Sequence, residues 1–168
     1  MKGLKRSLRN KLGDVLQNTT IPIRNISLAV ANGAPGFGTV VLAGLPQGNI
    51  LFLGAVSYLQ FFTDDADITA TFDGDYSIGT VPTVDGDLAD ANEADIIPST
   101  AFGAATAKLS PVIRGVSTDA LGGLIIDNTD NTLELNLNVL IDDAAIAGAA
   151  TFTVNGTVAI AYLVMGDD

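Results

Sequence analysis

The sequence predicts an all-β protein, an antiparallel β-sandwich, on three observations. Leu133-Glu134-Leu135-Asn136-Leu137-Asn138-Val139 alternates apolar and polar residues with a period of two, the mark of a strand with one face buried. Thr157 to Met165 is apolar on both faces and rich in β-branched residues, as a central strand is. Elsewhere short apolar runs alternate with Gly, Pro and Asn turn signals, the rhythm of two packed antiparallel sheets. No internal repeat of fixed period occurs, so a solenoid or propeller is not supported. With 168 residues the chain should form one domain, or one domain with an extension. A chain of this length buries about 70% of its unfolded surface and needs no staples.

Composition excludes several kinds of chemistry. The chain has no cysteine, no histidine and no tryptophan. Disulfides and thiolate metal sites are therefore absent, and so are the commonest general base and metal ligand. Charge divides the chain. Residues 1–13 hold Lys2, Lys5, Arg6, Arg9 and Lys11 with no acid, whereas the remainder holds three basic residues and all nineteen acids. So acidic a body repels phosphate backbones, and no nucleic-acid partner is expected.

Residues 1–24 read as a basic N-terminal arm, extended or helical, and residues 25–168 as the sandwich. Leu4, Leu8, Leu12, Val15 and Leu16 recur at spacings of three and four, which puts an apolar stripe on one side of a helix. Such a stretch suits a membrane-surface helix, a transit peptide, or an arm that docks its leucines on a partner chain. A solvated terminus is the plain alternative. The contrast between basic arm and acidic body favours the arm, with Leu4, Leu8 and Leu12 gripping a neighbouring subunit and Lys5 and Arg9 meeting acidic side chains. No continuous apolar run follows the basic residues, so this is not a secretory-signal pattern.

Asn25 to Thr63 contains no charge, yet Gly33, Pro35, Gly36, Gly38, Gly44, Pro46 and Gly48 cut it into pieces too short to span a bilayer. No membrane partner is expected. The pieces read as strands over Ile26–Ala31, Thr39–Ala43 and Ile50–Phe62, the last interrupted near Gly54. A short strand is expected at Ile68–Phe72, followed by turns through Asp73–Gly79 and an acidic loop holding Asp85, Asp87, Asp90, Glu93 and Asp95. The acids miss the alternating register and the twelfth-position glutamate of a calcium loop, so solvated turns are expected there and no metal. Residues 96–124 read as a long ordered loop with one short strand at Val112–Val116. Its small residues allow close approach, making Pro98, Phe102 and Pro111 candidate subunit-interface residues. Leu124–Asp127 leads through a turn to the strand at Leu133. Thr151–Val154 then enters Asn155-Gly156, the strongest short hairpin signal, before the final strand.

No catalytic constellation survives a spacing check. A G-x-S-x-G elbow is missing, and a Ser-His-Asp arrangement is impossible without histidine. Gly33-Ala34-Pro35-Gly36-Phe37-Gly38 lacks the Lys-Ser/Thr of a phosphate loop and the spacing of a dinucleotide fingerprint. The chain is not expected to be an enzyme or to carry a cofactor.

Several phrases resemble tailed-bacteriophage structural proteins encoded beside the major capsid protein. They are Leu45-Pro46-Gln47-Gly48-Asn49-Ile50-Leu51-Phe52-Leu53-Gly54-Ala55, Asp73 to Thr80, Ala94 to Thr100, Leu133 to Asp142, and Val154-Asn155-Gly156-Thr157-Val158 with Ala161 to Asp168. The likeness covers roughly residues 40–168 and leaves out the arm. It implies a head decoration, or cement, protein: a jelly-roll-like β-sandwich on the outside of a virion capsid, commonly a homotrimer, with the major capsid protein as partner. A head or tail fibre module that binds host surface glycans is the alternative, and it would need aromatics exposed on loops.

Overall fold

The computed structural model describes residues 16–90, 92–118 and 123–165. Nine strands follow one another: β1 (Leu16–Val30), β2 (Gly36–Gly44), β3 (Gly48–Phe62), β4 (Gly74–Gly79), β5 (Ile97–Ala101), β6 (Ile113–Val116), β7 (Ile125–Asn128), β8 (Glu134–Ile141) and β9 (Ala150–Val164). A short 3-10 turn at Asp143–Ala145 links the last two. Every pairing is antiparallel. The first sheet runs β1-β9-β3-β6, with β7 also paired to β3, and the second runs β2-β8-β4-β5. The chain crosses from sheet to sheet as it proceeds, and the two orders together make a jelly roll. The sandwich closes where β1 meets β2 and where β5 meets β6. Among the described residues no helix is long and apolar enough to cross a membrane.

The space between the sheets is filled by inward-facing residues of both. Phe52 and Phe61 of β3 and Phe152 of β9 meet Tyr76 of β4, Leu135, Leu137 and Val139 of β8, and Phe72 and Phe102 from the connections. Phe61 stacks on Phe102 with ring centres 4.9 Å apart, and Phe72 meets Phe152 edge-on at 5.0 Å. Burying each such side chain contributes about 1.5–3 kcal/mol, which is how a chain without disulfides holds together. One polar contact crosses the core: the Tyr76 and Ser57 hydroxyls lie 2.9 Å apart, fully buried. Gly115 of β6 makes room for it, since a Cβ there would stand 2.4 Å from the Tyr76 oxygen.

Several sequence expectations need correction. Leu16 to Ile23 are paired residue by residue with β9, so the sheet takes in residues assigned to the arm. Ile68 makes a single bridge to Ile146, and no strand forms over Ile68–Phe72; the strand is Gly74–Gly79, a stretch that reads as turns. Residues 97–101, expected in a loop, form the edge strand β5 against β4.

The largest correction concerns Asn155-Gly156, which makes no hairpin. Both residues lie inside β9 and pair with β3, and Gly156 also pairs with Ile23 of β1. Opposite them Arg24 and Asn25 form a bulge between the pairs Ile23–Gly156 and Ile26–Val154. The Asn25 N–H donates to the Asn155 side-chain oxygen at 2.9 Å. Gly156 adopts φ +145° and lies so close to β3 that a Cβ would stand 1.9 Å from the Tyr58 carbonyl oxygen. The turn dipeptide serves a bulge because a reversal there would break the ladders on both sides of β9. Gly156→Ala is therefore expected to cost about 2–4 kcal/mol, at the severe end for a single substitution. Gly44→Ala, where nothing lies within 4 Å, should cost under about 1 kcal/mol. Urea unfolding of the two variants checks the contrast.

Candidate functional site

The two outer faces of the sandwich differ, and the difference follows from strand register. Directly opposed residues of an antiparallel pair share a face. Leu16 opposes Leu163, Leu163 opposes Leu51, and Leu51 opposes Ile125, so four aliphatic side chains stand in one row across β1, β9, β3 and β7. Ile125 is 60% exposed and Leu16 43%. Two residues along, Asn18 and Gly54 flank Ala161; the next row is Thr20, Ala159, Val56 and Val116, and the next brings Pro22, Thr157, Tyr58 and Arg114. A shallow, mainly apolar groove of about 320 Å³ runs beside the aliphatic row over Gly54, Val56, Ala159 and Ala161. Leu53, the extra residue at the β3 bulge, is also exposed. Arg114 of β6 is the charge these rows bring to the face, and Asp127 of β7 opposes Asn49 on the other side of the aliphatic row.

On the opposite side, the outer face of the second sheet is covered. Asn136 and Asn138 of β8, expected on a solvated face, are buried. Asn138 uses its whole hydrogen-bonding capacity, three of its bonds fastening Val81, Thr83 and Glu93 over the sheet. Its amide donates to the carbonyls of Val81 at 3.0 Å and Glu93 at 2.9 Å, and its oxygen accepts from the Thr83 N–H and the Thr39 hydroxyl. Ser77 donates to the Glu93 carbonyl as well, at 2.7 Å. The acidic segment is thus an ordered layer, and an open groove of about 640 Å³ beside it is lined by Asp75, Asp87, Asp90, Asp95 and Pro98.

Burial sets the electrostatics of this layer. Glu93 is 2% exposed and its Oε2 has no hydrogen-bond partner. Its carboxyl titrates above the usual value because of burial first, with Asp90 and Asp85 adding, against hydrogen bonds from Thr83 and Val84. Burial likewise raises Asp95, opposed by the Thr80 N–H and hydroxyl at 2.9 and 2.7 Å. Asp142 is raised by burial and by Asp73 and Asp75. Among the described residues no group of three or more acidic side chains is placed to hold a metal ion.

Leu4, Lys5, Leu8, Arg9 and Leu12 lie outside the described residues. Pro98 sits half-buried on the edge strand β5, and Pro111 is exposed just before β6. Pro98 lines the acidic groove, and Pro111 does not. Phe102 is 1% exposed and stacked on Phe61, so it is a core residue and no part of a surface. The aliphatic row of Leu16, Leu163, Leu51 and Ile125 was not singled out from sequence. Its signal was the apolar character of both phases of Ile50–Phe62 and Thr157–Met165, which reads equally as burial on both faces.

No protein-family model and no curated protein matches the sequence. Among solved structures the chain is similar to a chain of infectious bursal disease virus, Gt strain, with TM-score 0.44 and 12% identity, covering 87% of this chain and 32% of that one. A Gx-strain chain of the same virus gives TM-score 0.42 and 13% identity, covering 87% and 33%. The chain spans about a third of the length of those virus chains. At this level of likeness nothing about function follows from them.

Raised carboxyls give pH dependence a definite sign. At Glu93, Asp95 and Asp142 the folded state holds its proton more tightly than the unfolded chain. Their favourable contribution is therefore full below the unfolded carboxyl values, about 4 to 4.5, and is lost as pH rises through the higher folded values. Glu93→Gln removes one share of this dependence. From about pH 4.5 to 7.5 the variant's melting temperature should fall less than that of the parent chain, measured by thermal unfolding; parallel curves would contradict the assignment.

Proposed function

We propose that this chain is a structural protein of a virus particle, a head decoration protein that binds the outer surface of the shell and stabilises it. The observation that carries the reading is the two-sided surface. One face presents a row of aliphatic side chains, half-buried in the middle and exposed at both ends, with little charge, and the other presents a layer of carboxylates. Exposed aliphatic area in a contiguous patch marks an interaction surface. An acidic outer side keeps the resulting assembly soluble. The apolar side and the basic arm that begins beside it face the shell, and the acidic side faces water.

The resemblance to decoration proteins supports this. Its phrases fall on β3, β9, β8 and β4, the middle strands of the two sheets, and on the edge strand β5. Such a protein works by mass action, since anything that binds the assembled shell and not its separated parts stabilises the shell. Many copies, as homotrimers on the major capsid protein, add weak contacts through avidity. Lys5 and Arg9 meet acidic side chains of the shell. A glycan-binding fibre module has less behind it: five of the seven phenylalanines are buried, and the exposed aromatics among the described residues, Tyr58 and Phe62, lie on a strand and not on loops.

Shells stripped of this chain provide the test. The full chain should bind them, deletion of residues 1–15 should abolish binding while the sandwich stays folded, and Leu51→Asp with Ile125→Asp should weaken binding about tenfold or more. Unchanged binding in both variants, measured by co-sedimentation, would contradict the reading.

A further inference from the structure

We propose that β1 is an open edge that adds to β1 of a second copy, antiparallel about a two-fold axis through Asn18, so that the first sheets of two copies join into one. The inference concerns contacts between copies and is independent of shell binding.

The hydrogen bonds show which backbone groups are free. Beyond the pair Ile50–Val164, the Met165 N–H donates to the Asn49 carbonyl at 2.8 Å. Backbone groups alternate in direction along an antiparallel strand, so Leu163, Ala161 and Ala159 also turn theirs to β3. Tyr162, Ile160 and Val158 turn theirs to β1, where they face Gln17, Thr19 and Ile21. Phe52, opposite Tyr162, agrees: it exchanges hydrogen bonds on its side away from β9, with Gly123 and Leu124. Leu16, Asn18 and Thr20 therefore point N–H and C=O away from the sheet, and Pro22 points its carbonyl the same way. A proline belongs in an edge strand at such a position, where its missing N–H breaks no ladder. Among the described residues nothing pairs with this edge from Leu16 to Pro22.

Proteins commonly blunt an edge with charge, proline, a bulge or shortness. The strands β5, β6 and β7 have five, four and four residues. β1 is 15 residues long, and from Leu16 to Ile21 it carries neither charge nor proline; Pro22 and the bulge at Arg24–Asn25 come only afterwards. Leu16 to Thr20 are all exposed.

A second copy is the occupant because the stretch is complementary to itself. About an axis through Asn18, Leu16 faces Thr20 of the other copy, Asn18 faces Asn18, and Thr20 faces Leu16. Among the described residues this is the longest register in which every facing pair exchanges both of its backbone bonds. Centring on Thr19 would set Pro22 against Leu16 and leave the Leu16 carbonyl without a donor. Charge agrees, since copies of net charge −11 meet here along an uncharged stretch. Opposed residues share a face, so both aliphatic faces look the same way and stay open. Asn18 and Thr20 line the shallow groove as well, which brings the grooves of the two copies side by side. Three residue pairs make a contact well below the roughly 1,600 Å² of a lasting complex, so it acts between crowded copies.

The absence of native cysteine makes the test direct. Opposed Cα atoms of a hydrogen-bonded antiparallel pair lie about 5.5 Å apart, within disulfide range. Full-length Asn18→Cys, oxidised at high protein concentration, should give a disulfide-linked dimer in at least about tenfold greater yield than Thr20→Cys, whose two copies would stand about 13 Å apart along the strands. Leu16→Cys with Thr20→Cys should restore the dimer, and Asp90→Cys, on the acidic side, should not form it. Adding Thr20→Pro to Asn18→Cys removes one outward N–H and none that β9 uses, and should lower the yield about tenfold with the sheet intact by circular dichroism. Equal yields at residues 18 and 20, or a yield at residue 18 no greater than at residue 90, would overturn the proposal. No readout involves a shell, so the proposal and the decoration reading fail separately.

Discussion

The unbroken pairing of β9 between β1 and β3 is the constraint on which the rest of the structure depends. β9 holds register with β1 from Ala150 to Leu163 and with β3 from Thr153 to Val164, apart from one bulge in each partner. That register decides which side chains go inward, placing Phe152, Val154 and Val158 in the core. It also decides what lies outside. Because Leu163 opposes both Leu16 and Leu51, aliphatic side chains from three distant parts of the chain come into line. A slip of one residue would turn each of them inward and expose the core residues. The aliphatic face is thus a consequence of the same pairing that makes the fold.

The two sheets treat their outer faces in opposite ways. On the first sheet the outward positions of the central rows are mainly aliphatic, small or hydroxylic, with Tyr58 and Arg114 at one end. On the second, Asn138 is buried with all four of its amide hydrogen-bonding positions used, and the acidic segment is held down on the sheet. A buried amide is costly unless it is satisfied, so this arrangement fixes the backbone at Val81, Thr83 and Glu93 closely. Glu93 is the cost of that path: its backbone carbonyl is needed by Asn138 and Ser77, and its side chain is carried into the protein with one oxygen unpartnered.

Much of the fold was legible in sequence because its strands are long and periodic. The sandwich, the central place of the last strand, the interruption of β3 near Gly54 and the strand at residues 113–116 all follow from patterning. What failed was punctuation. Asn155-Gly156 carries the residue types of a hairpin turn, but the same freedom of φ serves a bulge, and only the neighbouring strands decide between them. Alternation in β8 signalled a solvated face because a single strand cannot reveal that a distant segment will cover its asparagines. Phe102 looked available for an interface because its small neighbours suggest a loop, whereas aromatic stacking draws it into the core. Leu51 and Leu163 were hidden for the opposite reason, since an apolar outward position in an apolar strand looks like core.

The most direct measurement is the copy number of this chain relative to the major shell protein in purified particles, by quantitative gel. A decoration protein with one face to the shell and an acidic face to water should be present at a number comparable to the shell protein. A few copies per particle, or none, would contradict the account.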